Sequence, residues 1–151
     1  MTQAIKLALI GPWGRMGRRV LDLALADLDV VLYSVLVRSV DETDERHKEL
    51  PEGCIITADA DEALAGADAL IDFTAPAVCG VLAPKCSEHH VAYVLASTGL
   101  TETDNAAVDA AAQATAVLEA ANFSLGVNVL LGLVQAAAEQ LEGFDVEISE
   151  I

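Results

Sequence analysis

Positive charge is scarce in this chain: eight Lys and Arg stand against 24 Asp and Glu, a net of −16. That imbalance argues against nucleic acid or an anionic membrane surface as a partner, since both repel such a chain. Cysteine is scarce as well. Cys54, Cys79 and Cys86 are odd in number and lack a repeated Cys-x-x-Cys spacing, so neither a disulfide framework nor a zinc site is expected. His89 and His90 lie near Cys86, but neighbouring helical residues point in different directions, and no metal site is expected there. No stretch approaches the roughly 18 uninterrupted apolar residues of a membrane span. The chain opens on a short strand-like run instead of a charged-then-apolar leader. The expectation is a soluble, cytoplasmic protein without internal repeats.

What is present is apolar: 54% of 151 residues are hydrophobic, enough for one domain with a substantial core. "AIKLALI" (4–10) reads as a buried strand, and Met16, Val20, Leu21, Leu23 and Ala24 fall at helical spacing over 14–26. "VVLYSVLV" (30–37) is a second strand, and the charged stretch 41–53 a solvated excursion. Further strands are expected at 54–57, 68–73, 91–97, 115–120 and 145–151. Helices are expected at 59–66, 76–89, 101–114 and 125–142, with Pro76 in a first turn, Thr101 or Thr103 as a cap, and a kink or a division at Pro84. Alternating strands and helices predict an α/β, doubly wound, mostly parallel sheet of Rossmann-like type.

In such a sheet a ligand sits beyond the carboxyl ends of the strands, with phosphate on the N-terminus of the first helix. "LIGPWGRMGRRV" (9–20) has the required layout: Gly11 leaves the strand, Gly14 lets backbone approach phosphate, and Gly17 lets helix and sheet pack closely. Residues 1–38 hold five of the eight cations against three acids, so the scarce positive charge crowds around this turn. The second strand ends at Val37-Arg38 without a carboxylate. An arginine there favours a ribose 2′-phosphate, hence NADPH over NADH. Asp72, Thr74, Ser97, Thr98 and Asn122 follow later strands and fall on the same rim.

"GRMGR" (14–18), "IDFTAP" (71–76), "STG" (97–99) and above all "AANFSLGVN" (120–128) resemble the dihydrodipicolinate reductase family over essentially the whole chain. The resemblance implies hydride transfer from NADPH or NADH to a cyclic, unsaturated imine dicarboxylate, giving tetrahydrodipicolinate in lysine and diaminopimelate biosynthesis. It implies Gly11, Arg15 and Met16 against the cofactor phosphates and Arg38 at the adenosine ribose. Phe73, Ala96, Thr98, Ala120 and Phe123 would line the nicotinamide end, with Thr98 also touching substrate. Gly14, Gly17, Thr74, Ser97 and Asn122 complete the expected cofactor site.

Pro12 and Trp13 replace small residues, Ala96-Ser97 stand for Gly-Thr, and Val37 for an acid. By the resemblance, residues 1–143 form the dinucleotide-binding domain and 144–151 a strand leading into a substrate and oligomerisation domain. That absent part would carry the family's histidine- and lysine-containing motif. No catalytic residue is therefore assigned within the chain, and alone it is expected to bind cofactor with little or no turnover. An uncovered apolar face would favour self-association as a homo-oligomer. A stand-alone dinucleotide-binding module, or a subunit completed by a partner chain, is the alternative.

Overall fold

The computed structural model describes every residue except Met1, Thr2, Glu142, Val146, Ile148, Glu150 and Ile151. Two compact units result, Met1–Ala120 and Ala121–Ile151. The first holds six parallel strands: β1 (Ile5–Ile10), β2 (Val30–Leu36), β3 (Ile55–Thr57), β4 (Ala69–Asp72), β5 (Ala92–Leu95) and β6 (Val117–Glu119), in the order β3-β2-β1-β4-β5-β6. Sequence order reverses between β1 and β4, so the crevice outside the carboxyl end of β1 is the topological switch point.

Successive residues of a strand face opposite sides of a sheet, and β1 shows it: Ala8 joins one buried cluster and Leu9 the other. Leu21 of α1 (Arg15–Ala26) packs with Leu9, Leu32 and Val35. Ala63 and Leu64 of α2 (Ala60–Leu64), Cys79, Leu82, Ala83 and Cys86 of α3 (Pro76–Glu88), and Val108 and Ala111 of α4 (Glu102–Ala111) pack on the other face with Ala8, Leu70, Tyr93 and Leu95. Both faces are thus covered by helices, as the alternation of elements requires. The caps are chemical: Asp59 accepts from Asp61 N at the start of α2, and Thr101 with Asp104 forms a capping box on α4.

Two expectations need correction. Of the two outcomes expected at Pro84, division does not occur: α3 runs from Pro76 to Glu88 as one helix. Pro84 is on the exposed side of the helix, where its ring projects to solvent and the carbonyl it leaves without a partner can meet water. The segment 41–53 is more than a solvated excursion, because Asp44 caps a short 3₁₀ helix, Glu45–Glu49, that carries side chains onto the glycine turn. The expected strand at 145–151 falls largely on residues outside the described ones; Asp145, Glu147 and Ser149 are in no regular element.

In the second unit, Ser124 caps α5 (Leu125–Gln140) by accepting from Val127 N. Asn122 Oδ1 accepts from Ser124 N at 2.7 Å, and Asn128 Nδ2 donates to the Asn122 carbonyl at 3.0 Å. Both bonds stiffen the lead-in to the helix.

Candidate functional site

The turn after β1 is built by its glycines. Gly11 adopts φ 63°, a left-handed conformation that a side chain disfavours, and its N–H donates to the Leu36 carbonyl at the end of β2. Gly17 faces that same residue so closely that an added Cβ would lie 2.0 Å from Gly11 O. Gly14 is the N-cap of α1 without any side-chain capping bond, and no acid occupies the first turn. The amide hydrogens of Arg15 and Met16 therefore stand free at the positive end of a 12-residue helix, an arrangement that attracts an anion.

These residues form one wall of a cleft of about 790 Å³. Its lining takes in Gly11, Gly14, Arg15, Met16, Gly17, Arg38, Phe73 and Thr74, all foreseen in the sequence. It also takes in Pro12, Trp13 and Arg46. The described lining holds three arginines and no acid, in a chain where acids outnumber bases threefold. Among the described residues Arg15 and Arg38 have no ion pair. Arg18 is turned away, bonded to Asp22 and Glu49.

Arg46 was not legible as a site residue, because it lies in a run of mixed charges. Its guanidinium rests over the Trp13 ring, 4.6 Å from Cζ to centroid, and the His47 ring stacks on the same indole at 5.5 Å and 25°. Asp44 grips Arg46 through Nε and Nη2, with Nε to Oδ1 at 2.8 Å. That grip, together with the Arg46 N–H, holds the Asp44 carboxyl down to about 2. Trp13 Nε1 is buried without an acceptor among the described residues.

On the other side of the switch point, Asp72 proves to be a buried scaffold residue instead of a rim ligand. Thr74 donates to its Oδ1 through both N (2.7 Å) and Oγ1 (2.6 Å), and the Tyr93 hydroxyl donates to Oδ2 at 2.8 Å. Burial, with Asp72 nearby, pushes the Tyr93 phenol well above its ordinary range. Thr74 is thereby fixed against the turn, its Cγ2 lying 3.2 Å from where a Gly11 Cβ would sit.

Ala96, Ser97 and Thr98 follow β5, and Ala120 follows β6. Ala96 N donates to Asp72 O, and Ala120 N to Leu95 O. Ala96 therefore adjoins β4 and Ala120 adjoins β5, along the same carboxyl edge and outside the lining of the cleft. Ser97 is 5% exposed and its Oγ has no partner among the described residues; Thr98 is exposed. Asn122 and Phe123 belong to the second unit. The thiols lie apart from the cleft: Cys79 and Cys86 are buried in the core, and burial raises Cys54 to about 11 and Cys86 to about 12.

Comparison with known proteins identifies the family. Residues 5–123 match the family model described as dihydrodipicolinate reductase, N-terminus. The chain is 38% identical over 146 residues to a 4-hydroxy-tetrahydrodipicolinate reductase of Thermomicrobium roseum, covering 97% of this chain and 57% of that protein. It is likewise 38% identical to one from Neisseria meningitidis serogroup B, covering 97% and 56%. The chain thus spans a little over half the length of these relatives. A dipicolinate-bound dihydrodipicolinate reductase from a Paenisporosarcina species superposes with a TM-score of 0.77 at 20% identity, over 90% of this chain and 54% of that one. That likeness concerns the fold.

Proposed function

Because the chain belongs to the dihydrodipicolinate reductase family, we propose that it is the dinucleotide-binding part of a reductase that passes a hydride from NADPH to a cyclic, unsaturated imine dicarboxylate. The observation that carries the proposal is the acid-free cleft lined by three arginines at the open N-terminus of α1. A pyrophosphate fits there: amide hydrogens of Arg15 and Met16 bind it, Gly14 and Gly17 let backbone come close, and Arg15 adds charge. Arg38, beyond the end of β2, takes the ribose 2′-phosphate and favours NADPH over NADH. When bound, the nicotinamide supplies the hydride.

This chain's residues orient that ring. Phe73 and Thr74 at the end of β4 are the near wall; Ala96, Ser97 and Thr98 after β5, and Ala120 after β6, continue the rim. Thr98 is exposed and would offer its hydroxyl to substrate. Among the described residues the cleft lining holds no His, Lys, Cys, Tyr, Asp or Glu, hence no ready proton donor at neutral pH. Cofactor chemistry still requires one, so these 151 residues alone should bind cofactor with negligible turnover. The dicarboxylate, a cytoplasmic location and a homo-oligomeric assembly follow from family membership as parts of the same proposal.

Trp13 is the only tryptophan of the chain and lines the cleft, so its emission reports occupancy. Titration should give saturable binding of both dinucleotides, tighter for NADPH. Equal or tighter NADH binding removes the role given to Arg38, and no binding of either removes the proposal.

A further inference from the structure

We propose that Arg46, carried by the 3₁₀ helix between β2 and β3, is a second specificity-determining cation that reads a phosphomonoester on the adenosine ribose together with Arg38. The inference rests on the dinucleotide reading above and sharpens one end of it. Arg38 follows β2, and Arg46 reaches the same cleft by lying on Trp13 of the glycine turn. Both are thus on the β2 side of the switch point, while Phe73 and Thr74 occupy the β4 side. The pyrophosphate needs only the helix N-terminus and Arg15, which leaves two guanidiniums unexplained by it.

A phosphomonoester carries about −1.5 to −2 charges near neutral pH, more than Arg38 alone balances. Arg46 suits the remainder because its orientation is prepared in advance. Asp44 holds Nε and Nη2 and the indole supports the guanidinium plane, which leaves Nη1 without a hydrogen bond among the described residues. An arginine presented along one free edge suits phosphate oxygens geometrically. Asp44 faces the opposite edge, so it fixes Arg46 while partly offsetting its charge. The Nε1–H of the same indole is buried and has no acceptor among the described residues, a cost that an acceptor on a bound ligand would remove. Trp13, which departs from a small-residue glycine turn, acquires a reason: its indole gives Arg46 and His47 of the 3₁₀ helix a surface to rest on.

Two measurements test this. On the unaltered chain, Trp13 emission is titrated with adenosine 2′,5′-bisphosphate and with adenosine 5′-phosphate; the bisphosphate should bind at least about tenfold more tightly. In Arg46→Ala, NADPH affinity should fall about tenfold while NADH affinity stays within about twofold of the parent. Equal loss for both dinucleotides would make Arg46 a support for the turn only, and unchanged NADPH affinity, or no preference for the bisphosphate, would also overturn the inference. If the unaltered chain binds both dinucleotides and one of these results appears, only the role of Arg46 falls. If it binds neither, the proposed function falls with it.

Discussion

Tyr93 of β5 donates its phenol hydrogen to Oδ2 of Asp72 at 2.8 Å, with both residues fully out of solvent. The side chain's other oxygen holds the backbone and hydroxyl of Thr74, so one buried carboxyl group ties the core to the cleft wall. Tyr93→Phe leaves Oδ2 without its donor. The expected loss is about 1–3 kcal/mol in urea unfolding, together with weaker dinucleotide binding as Thr74 loosens. Undiminished stability would show that Asp72 does not depend on the phenol.

Glycine substitutions should differ in sign by location. A Cβ at Gly17 meets Gly11 O at 2.0 Å, and backbone cannot yield as a flexible side chain would. Gly17→Ala should cost about 1–3 kcal/mol and abolish dinucleotide binding. Gly132→Ala, within α5 and with nothing within 4 Å of the added Cβ, should gain about 0.5–1 kcal/mol from helix propensity. Thermal unfolding of the two variants measures both effects; a Gly17→Ala protein that binds normally contradicts the close approach at the turn.

Acid should release the 3₁₀ helix from the indole late in a titration. The carboxyl of Asp44 is held down to about 2 by Arg46. A depressed folded value contributes stability that is complete above the ordinary carboxylate value near 3.8 and is lost as pH falls toward 2. The Asp44 carboxyl ¹³C shift should therefore titrate near 2, and the ring-current shifts of His47 against Trp13 should persist to below pH 3. A midpoint near 3.8 would mean that Arg46 does not hold Asp44.

The alkaline side behaves oppositely. Burial lifts Cys54 to about 11 and Cys86 to about 12 and raises the Tyr93 phenol further. Groups raised in the folded state contribute stability that is intact below their ordinary values near 9 to 10. It is lost progressively as pH climbs toward the folded values. Denaturant midpoints should fall above about pH 9. At pH 8 a thiol-specific reagent should label Cys79 and Cys86 only on unfolding; rapid labelling of the native chain would contradict their burial.

Six strands, their parallel arrangement and the glycine turn were legible because apolar runs, turn residues and caps act locally. Pro84 was only partly legible, because the residue type predicts a kink or a division and packing decides between them; α3 is not divided. Asp72 misled for a related reason: a carboxylate after a strand reads as a rim ligand until Tyr93, 21 residues away, is seen to claim it. Arg46 was illegible because a charge run such as 41–49 looks solvated, and only Trp13, more than 30 residues earlier, gives its arginine a place. Local chemistry announces elements; contacts between distant residues assign the side chains.

The central position of β1 has a consequence for the order in which the molecule can assemble. Ile10 pairs with Leu36 on one side and with Asp72 on the other, so the cleft mouth is bounded by segments separated by 62 residues. Closing loops of that length precedes any contact that rewards it, which slows a parallel sheet relative to hairpins. The early chain can form α1 and the β1–β2 pair, but the glycine turn lacks its Thr74 wall until β4 has docked. Dinucleotide in the refolding mixture should thus leave the early kinetic phase unchanged and act only by slowing unfolding of the completed sheet.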